Sequence, residues 1–285
     1  MRNAFVIGIS ALVGLYALFA LSSPPGKGRK PRDPLPATST AVPTMSELVA
    51  FSAMAADELP FDDAVAVWHM ADLGDASGKD SRLTPGGHVE IGVDLAGEDR
   101  EASLARCGDG RVAKCDGGWL SAEHGADGEL HLTGNAMTMC IRLRDPLGKW
   151  DTSLFSKFGG HDALVYNLFS IDLGQGMVIG FQLGIDGQPG MRHVEVPVAK
   201  IGSRVWHDVI ARYDGKNLGL FVDGVLVDRT PVHGKLREGN VEPCVIGGHS
   251  QQGKVHRPFV GLIDHAALWN RALSDGEIAR LSGVD

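Results

Sequence analysis

The sequence predicts an all-β fold, a sandwich or barrel of antiparallel strands with short helices near residues 46–56 and 275–282. Three observations carry this expectation. Gly makes up 38 of 285 residues and is spread along the chain, as many turns require. From Ala64 onward, short β-runs broken by Gly, Asp and Pro follow one another with almost no helical periodicity. No internal repeat of regular period is present, which excludes a propeller or solenoid.

The chain opens on a targeting segment. Arg2 precedes an uncharged apolar run from Ala4 to Leu21, and Ser22, Ser23 and Pro24 end it. Residues 1–23 therefore read as a secretory signal peptide, or as an N-terminal membrane anchor through residues 4–21. Lys27, Arg29, Lys30 and Arg32 follow the run, and an uncleaved anchor would keep that side in the cytoplasm. Export of the remainder fits cleavage better. The expected location is extracytoplasmic: secreted, periplasmic or membrane-anchored. Residues 24–43, rich in Pro, Thr and basic residues, form a flexible linker, and residues 44–285 form the folded domain. Thr44 and Glu47 have the spacing of a capping box ahead of Leu48, Val49, Phe51 and Ala55.

The strands follow. Ala64–Trp68 is the first. Met137, Met139, Ile141 and Leu143 alternate with Thr138, Cys140, Arg142 and Arg144, so the first set faces a core and the two arginines the other side. Met177–Leu183 is a strand whose Gly180 marks a bulge or a close approach. Trp206–Tyr213 and Leu218–Val222 flank Asp214-Gly215-Lys216-Asn217 as a hairpin. Asp223-Gly224 then turns the chain into Val225–Val227. Cys244–Ile246 and Leu262–Trp269 complete the run, and Ser274 and Glu277 cap a last helix through Ile278 and Leu281. The net charge of −8 argues against nucleic acid and against an anionic membrane surface as partners. Contact with a membrane is expected only through the N-terminal segment, if it is uncleaved.

Three separated motifs carry a resemblance. Trp206-His207-Asp208-Val209 through Tyr213-Asp214-Gly215 and Asp223-Gly224 resembles the WHHVAATYDG…LYVDG hairpin of laminin-G-like, concanavalin-A-like domains. Ile246-Gly247-Gly248, Phe259 to Asp264 and Leu268 to Ser274 resemble that family's closing segment, and Val67 to Ser81 its opening strand and loop. The resemblance covers about residues 64–282. It implies a two-sheet antiparallel jelly-roll sandwich of the LamG or pentraxin type. It is also similar to the module that precedes bacterial fructan- and sucrose-cleaving glycoside hydrolases. The function implied is a noncatalytic carbohydrate-binding or adhesion module, with a polysaccharide or glycan as partner. The alternatives are an accessory domain of a glycoside hydrolase, with a catalytic partner domain outside this chain, or a purely structural protein-interaction domain.

Candidate residues follow from chemistry and from the resemblance. A retaining glycosidase needs two carboxylates about 5 Å apart on one face. No strand shows such a pair: Glu195 stands alone, and Asp72 and Asp75 lie in a loop. There is no G-x-S-x-G elbow either, so no catalytic residue is expected and the chain is not read as an enzyme. For sugar binding, Trp119, Trp150 and Tyr166 are the aromatics outside the strongest core motifs, and Trp150 follows a loop-like stretch. Trp150 is either a platform or a loop anchor. Arg142 and Arg144 would contact an anionic glycan, or form a solvated face. Trp68, Trp206 and Trp269 occupy family core positions. His207 is expected to pack or hydrogen-bond, and His249 and His256 to lie solvated in a loop. Family features place structural calcium near Asp72, Asp80 and Asp264, although Arg82-Leu83 departs from the usual loop form. Cys107, Cys115, Cys140 and Cys244 make an even count in an oxidising compartment. The expected bridges are Cys107–Cys115 and Cys140–Cys244, against four buried thiols.

Overall fold

The structure, a computed structural model, describes residues 60–104, 109–123, 128, 130–145, 151–172, 174–238 and 240–284. The targeting segment, the linker and the helix expected over 46–56 lie outside the described residues. The strands begin with β1 Ala66–Trp68, β2 Thr84–Asp94, β3 Arg111–Ala122, β4 Met137–Arg144 and β5 Thr152–Lys157. They continue as β6 Tyr166–Asp172, β7 Met177–Leu183, β8 Arg192–Pro197, β9 Trp206–Tyr213 and β10 Asn217–Val222. The last are β11 Val225–Pro231, β12 Cys244–Ile246, β13 His249–Gln251, β14 Lys254–His256 and β15 Phe259–Trp269. The helices are α1 Gly97–Leu104, α2 Val198–Ile201 and α3 Asp275–Leu281.

Thirteen strands form one antiparallel sheet in the order β11-β10-β9-β4-β15-β3-β12-β5-β6-β7-β8, with β1 beside β15 and β2 beside β3. The sheet folds over on itself, so β8 returns against β11. There the Glu195 N–H donates to Asp228 Oδ2 at 3.1 Å. The result is the nearly closed all-β sandwich that the turn-rich sequence predicts. β13 and β14 pair only with each other and stand off this ladder.

Alternation explains the core. Met137, Met139, Ile141 and Leu143 of β4 point inward, beside Phe155, Phe181 and Leu218. Phe155 sits edge-on to both Trp68 and Tyr166, with ring centroids 6.0 and 6.3 Å away. Each such large side chain stabilises the fold by roughly 1.5–3 kcal/mol when fully buried. Trp68 is wholly enclosed and satisfies its indole by donating to the Ser81 carbonyl at 2.7 Å. Tyr166, one of the aromatics considered for a ligand, is also wholly buried and belongs to this core. At the expected close-approach point, Gly180 lies under Phe169, whose ring fills the space a Cβ would need. The Asp223-Gly224 turn has φ of 50° and 78°, the positive pair a two-residue hairpin requires.

The outer side of β4 is buried as well. Cys140 packs with Ile210, Ala267 and Trp269 under Ile278 and Leu281 of α3. Thr138 accepts from the Leu273 N–H at 2.9 Å and donates to the Arg271 carbonyl. Ser274 caps α3 with the expected capping box to Glu277. At the other end of β4, α1 covers Arg142 and Arg144 through Ser103 and Asp99. This helix was not expected, because it has no apolar stripe and buries only Ser103.

The cysteine pairing departs from expectation. Cys115, Cys140 and Cys244 are buried thiols. Cys140 lies in the outer cluster and Cys244 in the inner core, on opposite sides of the sheet, so no bridge joins them. Cys107 lies outside the described residues, and its expected partner Cys115 keeps its thiol. Burial pushes the Cys115 thiol up to about 12.

Candidate functional site

Of the residues expected to bind a ligand, Arg142 and Arg144 lie together on the outer side of β4. Arg142 is enclosed, with 2% of its side chain exposed. Its Nη1 donates to Asp208 Oδ2 at 2.9 Å, and its Nε lies 3.2 Å from Asp264 Oδ2. Asp264 also accepts from Ser103 Oγ at 2.9 Å. Arg142 therefore balances two buried carboxylates and faces no solvent. Burial pushes the Asp264 carboxyl up to about 6, against the pull of Ser103 and Arg142. Arg144 is part-exposed but engaged, donating to Asp99 Oδ2 at 2.6 Å. Trp206, expected in the core, lies on this outer face instead. Both guanidiniums stand over its ring, 5.2 and 5.3 Å from the centroid, and its indole donates to Asp99 Oδ1. Trp150 lies outside the described residues.

The calcium residues do not converge. Among the described residues, no three His, Cys, Asp or Glu side chains are grouped to hold a metal ion. Asp264 is committed to Arg142 and Ser103, and Asp72 Oδ1 accepts from the Gly74 N–H at 2.6 Å. The opening loop is organised by Asp75, which accepts from the N–H groups of Val67, Ser77 and Ser81. The Asp75 carboxylate thus ties the opening loop together through backbone N–H groups.

Of the histidines, His249 is placed differently from expectation. His249 and His256 pair across β13–β14 with rings 5.6 Å apart. His249 also meets Phe158 at 4.6 Å and shares a hydrogen bond with Ser153 Oγ at 3.0 Å. Burial, then the charges of Arg257, His256 and His161, pushes His249 down to about 4. His249 is thus seated on β5, whereas His256 is exposed, as expected. His207 packs as expected and contacts Asp223 Oδ2 through Nδ1 at 2.8 Å.

The hairpin creates a groove on its other side. Strand alternation on β3 turns Leu120 inward and Trp119 and Ser121 outward. Trp119 is half-buried, and its ring lies across Gly86 of the paired strand β2. A Cβ at Gly86 would come within 2.3 Å of that ring, so glycine is what lets the indole lie flat. Trp119, Ser121 and Glu123 form one wall of a groove of about 480 Å³; Glu242, Ser250 and Val255 line the other. Glu242 clamps the hairpin, accepting from Ser250 Oγ and from the Gly253 N–H. Behind it, the buried Lys157 Nζ donates to the Glu242 carbonyl at 2.7 Å. An aromatic face flanked by carboxylates and hydroxyls is a surface that stacks and hydrogen-bonds a ring-shaped polar ligand. Trp119 was among the aromatics legible in the sequence. Glu123, Glu242 and Ser250 carried no signal there, because they meet only through the seating of the hairpin.

The fold recurs in solved structures. Domain 4 of AbnA, a GH43 extracellular arabinanase from Geobacillus stearothermophilus solved in complex with arabinotriose, is 15% identical with a TM-score of 0.55. The match covers 77% of this chain and 98% of that one. The binding domain of Paraclostridial Mosquitocidal Protein 1 is 15% identical with a TM-score of 0.57, covering 78% of this chain and 52% of that one. The binding domain of botulinum neurotoxin DC, solved with rat synaptotagmin II, is 11% identical with a TM-score of 0.55, covering 78% and 51%. The chain spans about half the length of these two toxin domains. At such identities the likeness is one of fold. Among curated proteins, none matches. The family model Laminin_G_3 matches residues 123–279, more than half of the sequence, and the chain belongs to that family, in the concanavalin A-like lectin/glucanases superfamily.

Proposed function

We propose that the domain is a noncatalytic, extracytoplasmic carbohydrate-binding module whose sugar platform is Trp119. The observation that carries this reading is the Trp119 ring laid on Gly86 along a groove with Ser121, Glu123 and Glu242. Membership of the lectin/glucanase superfamily supports it. The groove holds two carboxylates, but Glu242 is engaged by the hairpin through both oxygens. The likeness to domain 4 of an arabinanase favours a second, compatible reading, in which the module serves as accessory to a glycoside hydrolase. Affinity electrophoresis of the full chain through a panel of soluble polysaccharides, with an assay for released reducing sugar, tests the proposal. Retardation without sugar release is expected. Trp119→Ala should weaken it about thirtyfold, the loss typical of a central aromatic anchor. Sugar release, or equal retardation of Trp119→Ala, would overturn the proposal.

A further inference from the structure

The groove beside Trp119 is acidic. Glu123 and Glu242 line it, and among the described residues no lysine or arginine does. Strand alternation accounts for this. Ser250 pairs with Val255 across β13–β14, and both line the groove. The flanking pairs, Gln251 with Lys254 and His249 with His256, therefore fall on the opposite face of the hairpin. The cation beneath the groove is Lys157. It is fully buried on the core face and commits Nζ to the Glu242 carbonyl, so it acts on Glu123 and Glu242 only through its charge and does not itself contact a ligand.

The two carboxylates differ in role. Glu242 is held in place by Ser250 and by the Gly253 N–H, a charge fixed before any ligand arrives. Glu123 follows the last residue of β3, is exposed, and makes no ion pair among the described residues. An aromatic face with one carboxylate on its own wall and a preset carboxylate on the wall across the groove is a recognition set for a cation. The ring quadrupole and both carboxylates attract positive charge. The same set repels uronic or sialic acids, since like charges brought together oppose binding.

We infer that the groove selects glycans carrying protonated amino groups, such as unacetylated hexosamines, over neutral and anionic ones. This rests on the sugar-binding reading above. The amine sits between Glu123 and Glu242, while the pyranose face covers Trp119.

Calorimetric titration of the full chain tests this with three probes at slightly acidic pH and low salt: a glucosamine tetramer, its fully N-acetylated counterpart and a galacturonate tetramer. The glucosamine tetramer should bind about tenfold or more tightly than the acetylated one, and the galacturonate should bind weakest. Raising salt should narrow the first ratio, because exposed charges are screened. Glu123→Gln should bring the ratio close to one, and Lys254→Gln, on the far face of the hairpin, should leave it in place. Equal affinity for the amino and acetylated tetramers, or a ratio unmoved by Glu123→Gln, overturns the inference. If none of the three binds but other neutral polysaccharides retard the chain through Trp119, charge selection is wrong and sugar binding stands. If no glycan binds at all, both fall.

Discussion

Removing Arg142 isolates the electrostatic centre of the fold. Its guanidinium lies between Asp208 and Asp264, with side-chain exposures of 4% and 0%. Arg142→Leu keeps a comparable volume but leaves two buried carboxylates facing each other. Breaking a buried ion pair from one side costs about 3–5 kcal/mol. The folded unit, Asp57–Asp285, is of a size for which each kcal/mol moves the melting point by about 2–4 °C. The expected drop is thus roughly 6–20 °C near pH 8. The loss should depend on pH. Asp264 holds its proton in the fold up to about 6, well above the roughly 3.9 of an unfolded aspartate. The fold therefore binds this proton more tightly than the unfolded chain. The stability it contributes is full below about 4 and lost as pH rises through 6. Without Arg142 the proton is held more tightly still, so a proton replaces the missing positive charge in acid. Urea denaturation of the full chain and the variant at pH 5, 6.5 and 8 measures both effects. A penalty below about 1 kcal/mol at pH 8 would refute the buried-charge reasoning. So would a penalty equal at pH 5 and pH 8, which would mark lost packing instead.

Two further changes report on the outer layers. Ser274→Ala removes the side-chain oxygen that caps α3 and should cost about 1 kcal/mol in urea denaturation, since the helix covers Cys140 and Trp269; an unchanged midpoint would mean the helix is held by packing alone. His249 is pushed down to about 4, so the stability of its neutral, buried form is present above about 6.5 and lost as pH falls toward 4. His249→Gln should flatten that acid-side decline, and an identical decline in both proteins would place the titrating group elsewhere.

Sequence alone carried the architecture because period-two alternation and turn chemistry are local. The inward row of β4, the Trp206–Val222 hairpin, the Asp223-Gly224 turn and the capping box at Ser274 are each specified within a few residues. The expected targeting segment and linker rest on composition and lie outside the described residues. Tertiary structure decided what covers each face. Alternation places Arg142 opposite the core but cannot say that Asp208 of β9 and Asp264 of β15 flank it, or that α1, a helix with no apolar stripe, closes over them through Ser103. Cysteine counting could not see that Cys140 and Cys244 stand on opposite sides of one sheet. The candidate site shows the same division. Trp119 was recognisable as an aromatic outside the core motifs, but its groove exists only because β13–β14 folds back beside β3. Residues more than a hundred positions apart in the chain, such as Ser121 and Ser250, thereby face each other. Such long-range contacts depend on the seating of whole strands, which no local pattern of residues encodes.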